Sequence, residues 1–185
     1  MMKIYCAPRG ETSGSAAVRS LLERAFRNDY VGAFPVIKKT PNGKPYFPGR
    51  PEVHFSLSHT KTHVLCAISD VPVGADIEAP RNISARAIGF FCSPEELSIF
   101  DPLDLWVLKE SCVKLFGGTL TSVKNLRFSR SGDSIYLIAN NDYRLSAAGY
   151  ISSDKNVVSS LYSFDNCRAA VSCFGGKLPT SIELI

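Results

Sequence analysis

The sequence lacks a long hydrophobic run. Among its 185 residues no stretch approaches ~18 consecutive apolar residues, the length that a membrane-spanning helix needs. The segment from Met1 to Arg9 has no apolar core of the kind found in secretory signals. We therefore expect a cytoplasmic protein that does not act in a membrane.

The chain also lacks the short motifs of several common site types. Its six cysteines form no Cys-x-x-Cys pair, so a zinc site is not expected. Several of them lie in apolar runs such as residues 64–68, which is typical of buried thiols. P-loop, dinucleotide-binding and Gly-x-Ser-x-Gly patterns are missing, which argues against those nucleotide-binding and hydrolase classes.

Charge of either sign is present in only small excess. The chain has 21 basic and 17 acidic residues, a formal net charge of +4. The basic residues are scattered and not interleaved with aromatic ones, so nucleic-acid binding is not predicted. Mild basicity favours an acidic partner weakly. Hydrophobic residues make up 45% of the chain, enough for an ordinary globular core.

Apolar periodicity predicts helices and strands in separate blocks. Residues 15–27 carry apolar side chains at the spacing of an amphipathic helix. Residues 54–78 alternate or run nearly continuously in apolar and β-branched residues, which predicts a three-stranded meander. Between these blocks, residues 41–45 combine two prolines with Asn-Gly, which indicates an exposed loop.

The second half has clear start and stop signals. Ser93-Pro94-Glu95-Glu96 combines an N-cap, a first-turn proline and a capping-box glutamate, and Asp101-Pro102 opens a further helix. Gly117 supplies a helix stop. Further strands are predicted at residues 134–138, 143–151, 157–164 and 169–174. Helix, strands, helices and strands in this order predict an α+β protein.

Asp76 and Glu78 stand two residues apart in a predicted strand, so both carboxylates share one face. Paired carboxylates suit a hard cation such as Mg²⁺, which prefers oxygen ligands. The alternative is a solvated face of an edge strand, which is the commoner origin of such a pair.

A predicted helix over residues 105–114 places Trp106, Glu110 and Lys114 near one face. This helix carries the carboxylate of Glu110 close to the ammonium groups of Lys109 and Lys114, and a site for a metal and a pyrophosphate requires both signs of charge. An ordinary surface ion pair between Glu110 and Lys114, with a core tryptophan, explains the same spacing.

Ser58 and His59 end a predicted strand and could bind a phosphate, as could Lys44 in its loop. A strand-end turn with an exposed histidine is the simpler alternative. A Ser-His hydrolase is disfavoured because adjacent side chains on a strand diverge.

Taken together, these blocks resemble the larger class of 4′-phosphopantetheinyl transferases, which activates peptide and polyketide synthases. The matching blocks are Gly43-Lys44-Pro45, Phe55 to Thr60, Val73 to Glu78, Phe90 to Glu95 and Trp106 to Lys114. The resemblance implies a pseudo-dimer of two similar α+β halves, which we expect at residues 1–72 and 73–185, with the metal site in the second.

The resemblance also implies a reaction, in which the phosphopantetheine arm of coenzyme A passes to a serine of an acyl or peptidyl carrier protein. Adenosine 3′,5′-bisphosphate is released. By this likeness Asp76, Glu78 and Glu110 hold Mg²⁺, and Glu110 also accepts the serine proton. Glu95 is a weaker candidate for either task.

The remaining site residues implied by the resemblance are basic or bind coenzyme A. Lys109 and Lys114 would add positive charge around the pyrophosphate. The expected coenzyme A contacts are Lys44, Pro45, Ser58, His59 and Arg19. The protein is expected to act as a monomer on an acidic carrier protein. Two alternatives stay open, namely a non-catalytic module that binds coenzyme A or a carrier protein, and a structural α+β protein.

Overall fold

A computed structural model describes residues 1–140, 157–175 and 177–185. The first half contains β1 (Met2–Pro8), α1 (Gly14–Asp29), β2 (Lys38–Lys39), β3 (Pro45–Tyr46), β4 (His54–His59), β5 (His63–Ser69) and β6 (Val73–Glu78). The second contains α2 (Ala85–Phe91), α3 (Pro94–Leu97), α4 (Pro102–Phe116), a 3₁₀ helix (Leu120–Asn125), β7 (Leu126–Ser131), β8 (Ser134–Asn140), β9 (Val157–Phe164), β10 (Cys167–Phe174) and β11 (Glu183–Leu184). The predicted α+β class is confirmed.

Two main sheets carry the fold. The first has the strand order β11-β1-β5-β4 and the second β6-β10-β9-β8-β7, while β2 and β3 form a small hairpin. The apolar face of α1 packs on the first sheet through Leu21, Leu22 and Phe26. The apolar side of α4 packs on the second sheet. A third cluster, which includes Leu65 and Val171, fills the space between the two sheets.

The helix signals in the sequence are confirmed. Ser93 and Glu96 form a reciprocal capping box, with Pro94 in the first turn of α3. The Asp101 side chain caps α4, and Gly117 ends that helix in the left-handed conformation at φ 69°. Glycine adopts this conformation without a steric penalty from a Cβ atom. The site-bearing α4 is therefore delimited by local sequence at both ends.

The predicted three-stranded meander is wrong in its third strand. Strands β4 and β5 pair with each other, but β6 pairs with β10 in the second sheet. The Ser56 hydroxyl of β4 meets both backbone groups of Ala75, accepting from its N–H at 2.9 Å and donating to its carbonyl oxygen at 3.5 Å. A side chain thus links the edge strands β4 and β6 of the two sheets, whereas in a meander β6 would have formed its backbone ladder with β5.

Two further sequence predictions have different outcomes. The strand predicted over residues 143–151 lies outside the described residues. The division of the chain near Pro72 stays a prediction. Residues 1–72 supply three strands of the first sheet, and β11 from the other end of the chain supplies the fourth. Strands β1 and β7 were not predicted.

The cysteine side chains lie mostly in the interior of the protein. Cys92 is half-buried and the other five cysteines are buried, as expected from their apolar surroundings. Among the helices of the described residues, none is long and apolar enough to cross a membrane.

Candidate functional site

The site is built where β6 lies against α4. Because side chains alternate along a strand, Gly74, Asp76 and Glu78 share the face of β6 toward this helix. A Cβ atom on Gly74 would come within 1.9 Å of the Ser111 carbonyl oxygen and 2.4 Å of the Leu115 amide nitrogen. Glycine therefore allows the strand to touch the helix backbone, which brings the carboxylates of the two elements together.

Replacing Gly74 with alanine should destabilise the protein strongly. The new methyl group would meet backbone atoms, which cannot move aside as a flexible side chain can, and we expect a loss of about 3 kcal/mol or more. Gly89→Ala is the matched control because no atom lies within 4 Å of its Cβ position in α2. This control should be neutral or stabilising by about 0.5 kcal/mol. Equal unfolding free energies for the two variants in urea would contradict the close contact.

Three carboxylates meet at this contact. Oxygen atoms of Asp76, Glu78 and Glu110 lie within 4.8 Å of one another. Asp76 is only 2% exposed, and its Oδ2 atom is buried with no hydrogen-bond partner among the described residues. A buried, unpaired carboxylate oxygen is costly unless a ligand satisfies it. The structure thus brings together the three carboxylates that the resemblance assigned to a metal.

The other oxygen of Asp76 is well bonded. Lys114 Nζ lies 2.6 Å from Asp76 Oδ1, and the Ser58 hydroxyl donates to the same oxygen at 2.7 Å. Lys114 therefore pairs across to β6, where the sequence suggested an ion pair with Glu110 along the helix. On the far side of the cluster, the Trp106 indole N–H donates to Glu78 Oε1 at 3.1 Å. The predicted helix face of α4 thus does point into the site.

The crowding of negative charge changes the acidity of the cluster. Burial, followed by the charge of Asp76, raises the pKa of Glu110 to about 7. The same two causes raise the pKa of Glu78. Each shift means that the ionised form is disfavoured when no cation is bound. A divalent cation with oxygen ligands would relieve this repulsion.

The predicted Lys44 loop lies next to the cluster. Lys44 Nζ donates to the Leu115 carbonyl oxygen at 2.7 Å, near the carboxyl end of α4. Burial lowers the pKa of Lys44 to about 8. A cleft of about 210 Å³ is lined by this loop, strand β4, Lys114 and Gly117. A second cleft of about 390 Å³ shares Lys44, Pro45 and Phe55 with it.

The structure does not bring Lys109 to the carboxylate cluster, where its predicted role beside a pyrophosphate would place it. Its side chain is fully buried on another face of α4, where Nζ pairs with Glu96 Oε2 at 2.9 Å. Nζ also donates to the carbonyl oxygens of Phe91 and Leu126. These bonds use all three ammonium hydrogens. The structure thus gives Lys109 a role in joining α4 to α3 and β7.

Lys109→Met should therefore act on stability. Removing Lys109 leaves the buried Glu96 carboxylate with only the more distant Arg127, 3.9 Å from its Oε2 atom, as a charge partner, at a cost of about 3 kcal/mol. The double variant Lys109→Met/Glu96→Gln should recover part of this loss because the stranded charge is gone. Thermal unfolding of the three proteins checks the expectation. Wild-type stability in Lys109→Met would contradict this structural role.

The side chains of Ser58 and His59 lie on different sides of β4. The Ser58 hydroxyl is bonded to Asp76, whereas the exposed His59 ring lies over Gly14 in the first turn of α1. Adjacent strand residues point to opposite faces, which explains the separation. Arg19 is exposed on α1, with its guanidinium 5.9 Å from the centre of the Phe34 ring. Glu95 is exposed in the first turn of α3.

Sequence reasoning missed one contact within the site and one buried partner outside it. The first is the hydrogen bond from Ser58 to Asp76. Side chains alternate along a strand, so the sequence could have indicated that Ser58 and His59 point to opposite faces. The second is Glu96, whose buried carboxylate binds Lys109 and the Phe128 N–H. Its capping-box position was recognised, but nothing local indicated the partner on α4.

Fold and site together define an α+β protein with a carboxylate cluster suited to a divalent cation, beside basic clefts. No family model matches the chain. It is 30% identical over 118 residues to a 4′-phosphopantetheinyl transferase of Bacillus subtilis and 32% identical over 118 residues to 4′-phosphopantetheinyl transferase Sfp of Bacillus subtilis strain 168. Each match covers 58% of this chain and 52% of the relative.

A further relative comes from another genus. The 4′-phosphopantetheinyl transferase gsp of Aneurinibacillus migulanus is 34% identical over 92 residues, which are 44% of this chain and 38% of that protein. The chain spans about half the length of the first two relatives. These matches confirm the resemblance to the 4′-phosphopantetheinyl transferases that the motifs indicated.

Proposed function

We propose that this protein is a Mg²⁺-dependent 4′-phosphopantetheinyl transferase that modifies a serine of an acyl or peptidyl carrier protein. The observation that carries the proposal is the cluster of Asp76, Glu78 and Glu110, with one buried carboxylate oxygen unsatisfied and Lys114 at its edge. The names of the related proteins support the same reaction class.

The donor set fits Mg²⁺. Asp76, Glu78 and Glu110 offer only oxygen atoms, the ligand type that this ion prefers, and the unpaired Asp76 Oδ2 is available to it. The raised pKa values of Glu78 and Glu110 reflect repulsion that a cation would remove. Bound there, Mg²⁺ would supply charge neutralisation at the pyrophosphate of coenzyme A.

Glu110 is the proposed general base. Its carboxylate lies in the cluster beside Asp76 and Glu78, and a carboxylate held at the reacting atoms can accept a proton from a hydroxyl. It accepts the proton of the carrier serine as the serine oxygen bonds to the phosphorus that carries the pantetheine arm. The bond from this phosphorus to the oxygen of adenosine 3′,5′-bisphosphate breaks, so the leaving group takes that electron pair.

Lys114 and the Lys44 loop are proposed to hold coenzyme A. Lys114 lines the cleft of about 210 Å³ and lies beside the carboxylates, so its ammonium can face both the cluster and a pyrophosphate. Transfer at phosphorus depends mainly on such positioning and charge stabilisation. Pro45 lines both clefts, where it can border the adenine. His59 is the proposed contact to the 3′-phosphate, and Arg19 is an auxiliary contact.

The proposed protein partner is an acidic carrier protein. The formal net charge of +4 would favour encounter with such a partner. We propose further that the protein works as a monomer in the cytoplasm.

The proposal is tested by incubating the purified protein with coenzyme A, Mg²⁺ and a panel of apo carrier proteins. Intact-mass spectrometry should detect addition of one phosphopantetheine arm to the carrier that is served. The matched control is the same carrier with its acceptor serine replaced by alanine, which should remain unmodified. Binding of coenzyme A without modification of any carrier would contradict the transferase and favour the non-catalytic binding module.

A further inference from the structure

Ser58 stands at the junction between the two sheets. Strand β4 pairs with β5 on one side, with Ser58 opposite Leu65. On the other side, the Ser56 hydroxyl is bonded to the Ala75 backbone of β6. Since alternate residues share a face, Ser58 is held on the same side as Ser56 and one step further along. Its hydroxyl therefore meets Asp76, at 2.7 Å from Oδ1.

The hydrogen-bond inventory of Ser58 limits what it can bind. A serine hydroxyl has one hydrogen to donate, and a carboxylate only accepts. The Ser58 hydrogen is therefore committed to Asp76, and Ser58 is 8% exposed. An ionised phosphate oxygen would need a donor, which the bonded hydroxyl no longer offers.

The two carboxylate oxygens of Asp76 differ in their hydrogen bonding. Oδ1 accepts from Ser58 and Lys114, whereas the buried Oδ2 has no partner among the described residues. Two donors on one oxygen fix the rotation of the carboxylate, so Oδ2 is held ready for a ligand. Outer partners of this kind orient metal ligands, and their loss commonly weakens metal binding about 10-fold to 100-fold.

We propose that Ser58 is a positioning residue for the metal ligand Asp76 and is not a contact to the 3′-phosphate of coenzyme A. The inference rests on the proposed function in taking the carboxylate cluster as a divalent-cation site. In this inference Ser58 orients a ligand of the cation, and of the two residues only His59 contacts the 3′-phosphate.

The first test measures Mn²⁺ binding to the full-length protein without coenzyme A, by electron paramagnetic resonance of the free ion. Ser58→Ala should weaken Mn²⁺ binding about 10-fold. Ser58→Thr, which keeps the hydroxyl donor, should stay within about 2-fold of the wild type. Ser56→Ala is the matched control, since it removes a buried serine between the same two strands but no bond to a carboxylate. It should lower the melting temperature and leave Mn²⁺ affinity unchanged.

The outcomes separate this inference from the metal site itself. If the wild type binds no Mn²⁺, the proposed cation site is wrong and the inference fails with it. If the wild type binds Mn²⁺ and Ser58→Ala binds it equally well, the site stands and the positioning role is wrong. Equal weakening in Ser58→Ala and Ser56→Ala would show a merely structural effect and also overturn the role.

A second measurement examines the phosphate directly. The ratio of affinities for coenzyme A and 3′-desphospho-coenzyme A cancels the pyrophosphate and metal contributions, because both ligands share them. Ser58→Ala should keep the wild-type ratio within about 2-fold, since no 3′-phosphate contact is lost. A ratio that falls toward one only in Ser58→Ala would show that Ser58 does contact the 3′-phosphate, and the inference would be wrong.

Discussion

Replacing Asp76 by asparagine should lower the rate of phosphopantetheine transfer about 10³-fold, equivalent to about 4 kcal/mol of transition-state stabilisation. The asparagine keeps the size of the side chain but removes the charge that the buried cation ligand provides. It also leaves Lys114, now 2.6 Å from Oδ1, without its counter-charge. Single-turnover transfer to an apo carrier, followed by intact mass, measures the effect.

Asp133→Asn is the matched control for this change. Asp133 is exposed between β7 and β8, so the same loss of one negative charge there should leave transfer unchanged. Near-normal transfer in Asp76→Asn at saturating Mg²⁺ would remove Asp76 from the metal site.

Glu110→Gln should abolish transfer and at the same time stabilise the metal-free protein. The variant loses both a cation ligand and the proposed base. It also removes a charge that the folded state disfavours, since the pKa of Glu110 is raised from 4.5 to about 7. At pH 8 the gain in unfolding free energy should be about 2 kcal/mol, which allows for partial solvent screening.

The pH dependence of this gain has a definite sign. Below pH 4.5 Glu110 is protonated in both states and its acidity contributes no difference. Between pH 4.5 and about 7 the folded state retains the proton and the unfolded state does not, so wild-type stability falls as pH rises. The advantage of Glu110→Gln should therefore grow through this window and level off above it.

Urea unfolding in the presence of EDTA, at several pH values, measures this difference. Saturating Mg²⁺ should reverse it, because the ion stabilises only a folded state that binds it. A Glu110→Gln protein that is less stable than the wild type at pH 8 without metal would contradict the assigned repulsion.

The acidic part of the site was predictable because its signals are local. Two-residue spacing on a strand puts Asp76 and Glu78 on one face, and helical spacing relates Glu110 to Trp106 and Lys114. That the strand and the helix meet at all depends on Gly74, whose missing side chain admits the helix backbone. The sequence shows that a glycine stands in this strand, but it does not show which helix or strand packs against that glycine.

Lys109 and Glu110 are neighbours in the sequence, but they lie on different faces of α4 and have different surroundings. Lys109 precedes Glu110, so the two side chains are about 100° apart around the helix axis. Lys109 instead lies with the buried Leu105 and Cys112, at i−4 and i+3. This apolar pattern indicates the core side of α4. The buried acid that pairs with it, Glu96, comes from another element, so the sequence alone could not supply the partner.

Strand β6 was misassigned for a similar reason. Its residues predict a strand correctly, but the choice between β5 and β10 as its partner depends on tertiary structure. The Ser56 hydroxyl joins β4 to β6 in place of a ladder, and no propensity rule anticipates such a bond. The pairing of β1 with β11, from opposite ends of the chain, was equally out of reach of local patterns.

Metal dependence of transfer tests the central claim most directly. The wild type is freed of divalent ions with EDTA, mixed with coenzyme A and the apo carrier that it serves, and followed by intact mass before and after Mg²⁺ is restored. We predict no addition in chelator and full addition once Mg²⁺ exceeds the chelator. Transfer that continues undiminished in chelator would contradict a cation site at Asp76, Glu78 and Glu110.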